Sequence, residues 1–457
     1  MSATSARANL DAVFKAYDVR GTVPDQVDAD LARAVGSAFV AVTDAAGTGV
    51  VVGYDMRPSS PEMADAFAQG AAAAGADVTM IGLASTDELY FASGHLGLPG
   101  VMFTASHNPA QYNGIKMCRA YAVPVGMDTG LSRVRDLVEA GEPVVAARPG
   151  EIRATDVLEA YAAHLHLLAP VHGRRLRVVV DAGNGMAGHT APAVLGPLDL
   201  DVVPMYYELD GTFPNHEANP IDPANLRDLQ ARVRETGADI GLAFDGDADR
   251  CFLVDECGAT VDPSVLTALI ASRELAKDPG ATVIHNLITS RAVPQIVSEL
   301  GGTPVRTRVG HSFIKARMAE TDAVFGGEHS GHFYFRDFWR ADSGMLAALH
   351  ALAALAESDR PLSALLASFS RFVSTGEINS TVADQAAVLA ELEKEYDGQV
   401  GVTLDRLDGL TVAHDDWWFN VRASNTEPLL RLNAEAGDVE TLHRLRDHVL
   451  TTIRSDS

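Results

Sequence analysis

The order of apolar and polar positions repeats one unit three times. Residues 49–82 read GVVVGYDMRPSSPEMADAFAQGAAAAGADVTMIG, residues 176–206 read LRVVVDAGNGMAGHTAPAVLGPLDLDVVPMY, and residues 281–310 read ATVIHNLITSRAVPQIVSELGGTPVRTRVG. Each opens on a short β-branched run of the kind a buried parallel strand uses. A turn-rich stretch follows, then a helix-compatible segment ending in Gly or Gly-Pro, then a second strand. The pattern predicts strand, helix, strand with a right-handed crossover, and three such units predict three related α/β domains. From about residue 374 the pattern changes. STGEINSTVADQAAVLAELEKEY and the following 402–436 alternate helix-like and strand-like stretches. FNVRAS and LLRLNAEA read as paired strands joined by a turn, and DVETLHRLRDHVLTTI reads as a closing helix. A smaller α+β domain, mobile relative to the rest, is expected there.

Length and charge narrow the class. A chain of 457 residues exceeds one ordinary core and fits three or four domains. Lys and Arg number 36 against 61 Asp and Glu, a net charge of −25. That excess argues against nucleic acid and anionic membrane as partners, since both need a basic face. An anionic substrate would have to be drawn in by a local basic cluster. Cys118, Cys251 and Cys257 make no disulfide framework and lack metal-site spacing, so a reduced, cytoplasmic setting is expected. The N-terminus has no apolar signal region, and no apolar run is long enough to span a bilayer.

Chemistry concentrates in a few short stretches. LAFDGDADRCFLVDE (242–256) sets Asp245, Asp247 and Asp249 at alternating positions between apolar runs, with Arg250 beside them. Alternation turns all three carboxylates to one side, and such a convergence calls for a cation among them. A hard divalent ion with oxygen ligands fits, and Mg2+ is usual where phosphate completes the shell. The rivals are a solvated acidic turn and an EF-hand, but Arg250 occupies the position where an EF-hand needs Gly. VMFTASHNPAQYNGIKM (101–117) runs a strand into Ser106 and His107, with Lys116 downstream. Asn-Pro and Asn-Gly mark turns, so Ser106 is expected on an exposed loop, either as a nucleophile or as a turn-capping hydroxyl. GGEHSGHFYF (326–335) offers Glu328, Ser330 and His332 for gripping sugar hydroxyls, with a zinc site as rival. RASNTEP (422–428) groups Arg422, Ser424, Asn425 and Thr426, a phosphate-gripping set or a polar hairpin turn. Arg20 and His311 are isolated basic residues, for which a structural role is the default.

Taken in order, TASHNP, DGDADR, GEHSGH and RASNTEP resemble the α-D-phosphohexomutase family along nearly the whole chain. DAGNGMAG and DGTFPNHEANP fit its second domain, and the last two motifs look most like its phosphomannomutase/phosphoglucomutase branch. The resemblance implies domains at 1–152, 153–256, 257–371 and 372–457: three α/β domains with mixed sheets and a C-terminal α+β domain around one central cleft. It implies that Ser106 carries a transferable phosphoryl group and that Asp245, Asp247 and Asp249, with an oxygen on Ser106, hold one Mg2+. Arg250 and His107 stand beside that site. Glu328 and Ser330 would grip sugar hydroxyls, and Arg422, Ser424, Asn425 and Thr426 would hold phosphate. Arg20, Lys116, His311 and His332 would surround the reacting hydroxyl, with Lys116 and His311 favoured for proton handling. The implied enzyme is an isomerase acting on small hexose phosphates, as a monomer or homodimer. It would interconvert mannose 1-phosphate and mannose 6-phosphate through a hexose 1,6-bisphosphate, which also serves as activator. Glucose phosphates are further candidate substrates. Alternatives are a phosphoglucomutase, a phosphoglucosamine mutase, a Mg2+-dependent phosphosugar phosphatase, or a non-catalytic phosphosugar-binding protein. One departure stands out. Several relatives carry a lysine where this chain has Ile288, and Arg291 is the candidate substitute.

Overall fold

The computed structural model describes residues 10–423 and 429–455, the side chain of His311 excepted. It divides into two compact units, Met1–Pro263 with Ser330–Leu365, and Ser264–His329 with Leu366–Ser457. No helix among the described residues is long and apolar enough to cross a membrane.

The first unit holds two sheets. In one, the strands run in the order Asp18–Thr22, Tyr112–Arg119, Gly100–Phe103, Gly49–Tyr54, Asp77–Leu83, Ile152–Ala154. Gly49–Tyr54 pairs in parallel with Asp77–Leu83 and Gly100–Phe103, whereas Tyr112–Arg119 is antiparallel to both its neighbours, so the sheet is mixed. Helices Ala29–Thr43 and Ser60–Ala73 pack together in the core of this layer. Their backbones touch because of two glycines. A Cβ on Gly36 would meet the Phe67 carbonyl oxygen at 2.3 Å, and one on Gly70 the Arg33 carbonyl oxygen at 2.0 Å. The second sheet orders Thr260–Val261, Cys251–Asp255, Ile240–Phe244, Leu176–Asp181, Leu200–Met205. The hairpin Phe333–Phe335 with Ala341–Asp342 and the helix Gly344–Ala356 also belong to this unit. That helix is buried along its whole length, as its Ala- and Leu-rich sequence requires.

The second unit holds the parallel strands Thr303–Thr307, Thr282–Asn286 and Phe325–Gly327. It also holds a fully antiparallel sheet, ordered Val373–Thr381, Leu429–Ala436, Trp417–Ala423, Leu410–Ala413, Thr403–Asp405. Helices Gln385–Tyr396 and Val439–Arg454 bury one face of that sheet around Phe419, Val421, Leu430 and Leu432. Asp438 caps the last helix, accepting from Thr441 N at 2.9 Å. All three repeated sequence units form two parallel strands with a helix between them. FNVRAS and LLRLNAEA fall on antiparallel neighbours, as their pattern implied.

Candidate active site

Ser106 lies just past the end of the strand Gly100–Phe103, where open α/β sheets place reactive groups. Its backbone N–H donates to Thr104 Oγ1 at 2.9 Å, and its φ of 50° lies in the left-handed region. The turn residues around it imply exposure, yet Ser106 is 5% exposed. Two contacts explain the difference. Arg57, with a fully buried side chain, donates to the carbonyl oxygens of Ser106, Asn108, Pro109 and Tyr112 at 2.7–2.9 Å. The Asp55 carboxylate fixes that guanidinium, with Arg57 Nε 3.2 Å from Oδ2. From the other side comes Gly246 of the aspartate loop, where a Cβ would sit 2.4 Å from the Ser106 carbonyl oxygen. His107 Nδ1 is 3.2 Å from Ser106 Oγ. Arg20, on the strand Asp18–Thr22, donates through Nη1 to Asn108 Oδ1 at 2.6 Å and through Nη2 to Asp18 Oδ2 at 2.5 Å.

The three aspartates sit on the turn between the antiparallel strands Ile240–Phe244 and Cys251–Asp255. Strands on both sides rule out an EF-hand, and burial rules out a solvated turn: none of the three is more than 1% exposed. Their ligand oxygens all lie within 4.8 Å of one another. Ser106 Oγ donates to Asp245 Oδ2 at 2.8 Å, and Arg250 donates to the same carboxylate through Nε at 2.9 Å and its backbone N at 3.1 Å. Lys116 Nζ bridges Asp247 Oδ2 and Asp249 Oδ2 at 2.6 and 2.7 Å. Thr86 donates to Asp247 Oδ2 at 2.6 Å, and its backbone N donates to the Asp247 carbonyl at 3.0 Å. His332 Nδ1 lies 2.9 Å from Asp342 Oδ2 and 3.7 Å from Asp249 Oδ1.

Burial works against every charge here. It raises Asp245 despite Arg250, whereas in Asp247 the Lys116 ammonium and donated hydrogen bonds outweigh it and hold the carboxyl below its usual range. Burial likewise opposes the Lys116 ammonium, but Asp247 and Asp249 win and keep it firmly protonated. Lys116 is thus held as an ammonium by those two carboxylates, the opposite of the lowered pKa that a base role requires. His107 is pushed well down by Arg250, burial and Arg20. Two buried oxygens, Asp247 Oδ1 and Asp249 Oδ1, have no hydrogen-bond partner, nor has Arg250 Nη2. Unsatisfied hard oxygens beside a free guanidinium nitrogen suit a divalent cation with a bound anion, so the cluster can hold a metal ion.

The remaining candidates divide between the units. Ser330 and His332 belong to the first, Glu328 and Arg422 to the second. Glu328 is buried, and its Oε1 accepts from Asn286 Nδ2 at 3.1 Å and Gly310 N at 3.2 Å. Among the described residues two groups have metal-holding geometry, and neither includes Glu328 or His329, so the zinc reading fails. Arg422 donates to Glu377 Oε2 at 2.6 Å. Ser424, Asn425 and Thr426 lie outside the described residues, as does the side chain of His311, the residue that opens helix His311–Thr321. Ile288 packs with Leu287 and Trp418. Arg291 donates to the His414 carbonyl at 2.7 Å and has Nε 3.7 Å from Glu435, while its buried Nε and Nη2 have no hydrogen-bond partner. Sequence reasoning missed Asp55, Arg57, Thr86 and Asp342. The Asp-x-Arg after the strand GVVVGY was the available signal.

Four family models match the chain: phosphoglucomutase/phosphomannomutase alpha/beta/alpha domain I at residues 11–144, domain II at 158–258, domain III at 262–372 and the C-terminal domain at 377–452. A protein of Xanthomonas campestris described as phosphohexose mutases is 42% identical, across 96% of this chain and 99% of that one. A phosphomannomutase of Salmonella typhimurium is 41% identical, across 93% and 95%. A phosphoglucomutase/phosphomannomutase family protein from Burkholderia thailandensis, solved by crystallography, superposes with a TM-score of 0.88 at 34% identity, covering 97% of each chain. With these matches spanning the chain from end to end, it belongs to the phosphoglucomutase/phosphomannomutase family of phosphohexomutases.

Proposed function

We propose that this protein is a phosphomannomutase that interconverts mannose 1-phosphate and mannose 6-phosphate through a phosphoserine at Ser106, and that it also accepts glucose phosphates. The observation that carries the reading is Ser106 Oγ held 2.8 Å from Asp245 Oδ2, inside a buried cluster of three carboxylates, Lys116 and Arg250. Binding a sugar requires no such arrangement. Mannose as substrate rests on the names of relatives and glucose on the family description.

Asp245, Asp247 and Asp249 would hold Mg2+. The bound ion supplies positive charge beside the phosphoryl oxygens. The rest falls to side chains. Arg250 Nη2, buried without a partner, is a donor ready for a phosphoryl oxygen. Arg57 and Thr104 fix the serine backbone, and fixed geometry carries most of a phosphoryl transfer. In the first half-reaction the bond from phosphorus to Ser106 Oγ breaks and a bond to the free sugar hydroxyl forms. The hydroxyl proton passes to a base, for which Lys116 and His311 remain the candidates. The hexose 1,6-bisphosphate then turns end for end, and the reverse transfer rephosphorylates Ser106. Glu328, Ser330 and the donors around Arg422 would hold hydroxyls and the non-reacting phosphate in both orientations.

The test is kcat/KM for mannose 1-phosphate and glucose 1-phosphate, side by side, with Mg2+ and a trace of hexose 1,6-bisphosphate. Turnover of mannose 1-phosphate at least comparable with glucose supports the reading. A strong preference for glucose would make the protein a phosphoglucomutase. Failure with both would point to a phosphoglucosamine mutase, a phosphatase or a binding protein.

A further inference from the structure

Two helices start against the aspartate turn. The first residue of Thr86–Leu96 meets it at Asp247, through the Thr86 hydroxyl and backbone N. The first residue of Gly344–Ala356 meets it at Ala248 and Arg250, where a Cβ on Gly344 would sit 2.8 and 2.7 Å from their carbonyl oxygens. Ala248, between the last two aspartates, has a φ of 60°. A residue other than glycine stays in that left-handed region only where its surroundings hold it.

Both helices are capped by a serine. Ser85 Oγ accepts from Glu88 N at 3.2 Å, and Ser343 Oγ accepts from Leu346 N at 2.9 Å. Each hydroxyl still has a proton of its own to place. Both protons go to one carboxylate. Ser85 donates to Asp87 Oδ1, and Ser343 donates to Asp87 Oδ2 at 2.6 Å, from 256 residues further along the chain. Tyr161, on the helix Leu158–Leu168, donates to Oδ2 as well, at 2.7 Å. All four residues are fully buried, and among the described residues no cation pairs with Asp87. Burial pushes its carboxyl up to about 6 while the three hydroxyls pull it back, so it is an anion at neutral pH. The positive ends of two helices favour that charge.

We infer that Asp87 is a positioning residue for metal binding: it ties the two helix starts together and, through Thr86 and Gly344, fixes the turn on which Asp245, Asp247 and Asp249 would take a divalent ion. The inference rests on that cluster being the Mg2+ site, as proposed above. It does not rest on a hexose phosphate as substrate.

The experiment is calorimetric titration of the full-length protein with Mg2+ and, separately, with Ca2+, alongside thermal melting. Mg2+ demands a regular octahedron of close ligands, whereas Ca2+ tolerates an irregular set. The ratio of the two affinities therefore reports the geometry of the turn, which a merely structural loss would not change. Asp87→Asn keeps the size, but its amide has a single oxygen. Whichever way it turns, one capping serine meets a donor. Mg2+ affinity is expected to fall by roughly tenfold, and the Mg2+/Ca2+ ratio by roughly threefold or more. Tyr161→Phe removes a donor to the same carboxylate from a helix that makes no hydrogen bond to the turn among the described residues. It should lower the melting temperature and leave the ratio within about twofold of the parent. If Asp87→Asn does not fold, Ser343→Ala, which removes one tie and one cap, takes its place with the same ratio as readout. Mg2+ and Ca2+ affinities that are unchanged, or that fall equally, in the folded variant would overturn the inference. An equal shift of the ratio by Tyr161→Phe would do the same. A parent that bound neither ion would overturn it together with the metal assignment. If the shifts appeared yet the parent turned over no hexose phosphate, the mutase reading would fall and the role of Asp87 would stand. An active parent with an indifferent Asp87→Asn would remove the role and leave the mutase.

Discussion

The aspartate cluster of the first unit has an excess of negative charge, and the arginine cluster of the second an excess of positive charge. Asp245, Asp247 and Asp249 crowd one turn, and Lys116 and Arg250 reach in from the same unit to balance them. Arg422 and Arg431 crowd one sheet face, and Glu377 balances them. Each cluster thus carries a counter-ion of its own, and a ligand of that sign has to compete with it. The enclosure differs. The aspartate side chains are at most 1% exposed, whereas Glu377 and Arg431 side chains are 25% and 29% exposed. Salt screens exposed pairs more than buried ones, so phosphate binding should weaken with ionic strength more steeply than metal binding.

The comparison can be tested at four depths. Ser106→Ala removes the proposed nucleophile and leaves both charge balances standing. Turnover should fall by at least ~10⁴-fold, with the melting temperature nearly unchanged. Wild-type turnover by this variant would refute the assigned nucleophile. Arg57→Met strikes the only cation paired with Asp55 among the described residues and strips four carbonyls of their donor. A loss of about 3–5 kcal/mol is expected in the first denaturation transition. A loss below about 1 kcal/mol would show that the loop does not depend on it.

Glu88 is the control, a buried carboxyl with no hydrogen bond to a cation. Burial, with Asp87 and Asp156 repelling, pushes it up to about 8 against an ordinary 4.5, and His189 faces it at 4.0 Å. The unfolded chain releases that proton above about pH 4.5, while the fold keeps it to about 8. Stability from this group is therefore full below pH 4.5 and falls as pH rises to 8, by at most roughly 5 kcal/mol. Glu88→Gln should flatten that slope and be the more stable protein at pH 8. Parallel stability–pH curves for the two proteins would refute it. The mildest change is Thr86→Val, which removes one of the two side-chain donors to Asp247 Oδ2 and leaves Lys116 as the other. Mg2+ affinity, measured by calorimetry, should drop by about tenfold. An unchanged affinity would mean that Lys116 alone orients that carboxylate.

What the sequence disclosed follows the range of the interactions. The strand–helix–strand units are local, written in β-branched runs and terminal glycines, so they were legible. The alternation of Asp245, Asp247 and Asp249 is local too. Asp55 and Arg57 lie only two residues apart, but the partners of Arg57 begin 49 residues away. Thr86 meets Asp247 across 161 residues, and the opposition of Arg422 and Arg431 exists only once the strand register is known. A lone arginine in a sequence looks like a surface arginine. Ser106 was read as exposed for the same reason, since its turn residues are visible in the string and the Gly246 backbone pressed against it is not.

If Ser106 is the phosphoryl carrier proposed above, Arg57 also bears on how long the group can wait there. Loop carbonyls ordinarily face solvent and keep water close. Here the carbonyls of residues 106, 108, 109 and 112 turn inward to one buried guanidinium. The wall behind the serine then needs no hydration. A phosphoester set against such a wall has fewer water neighbours able to cleave it between encounters with sugar. Patience of this kind separates an enzyme that hands its phosphoryl group to a second substrate from one that loses it to the solvent.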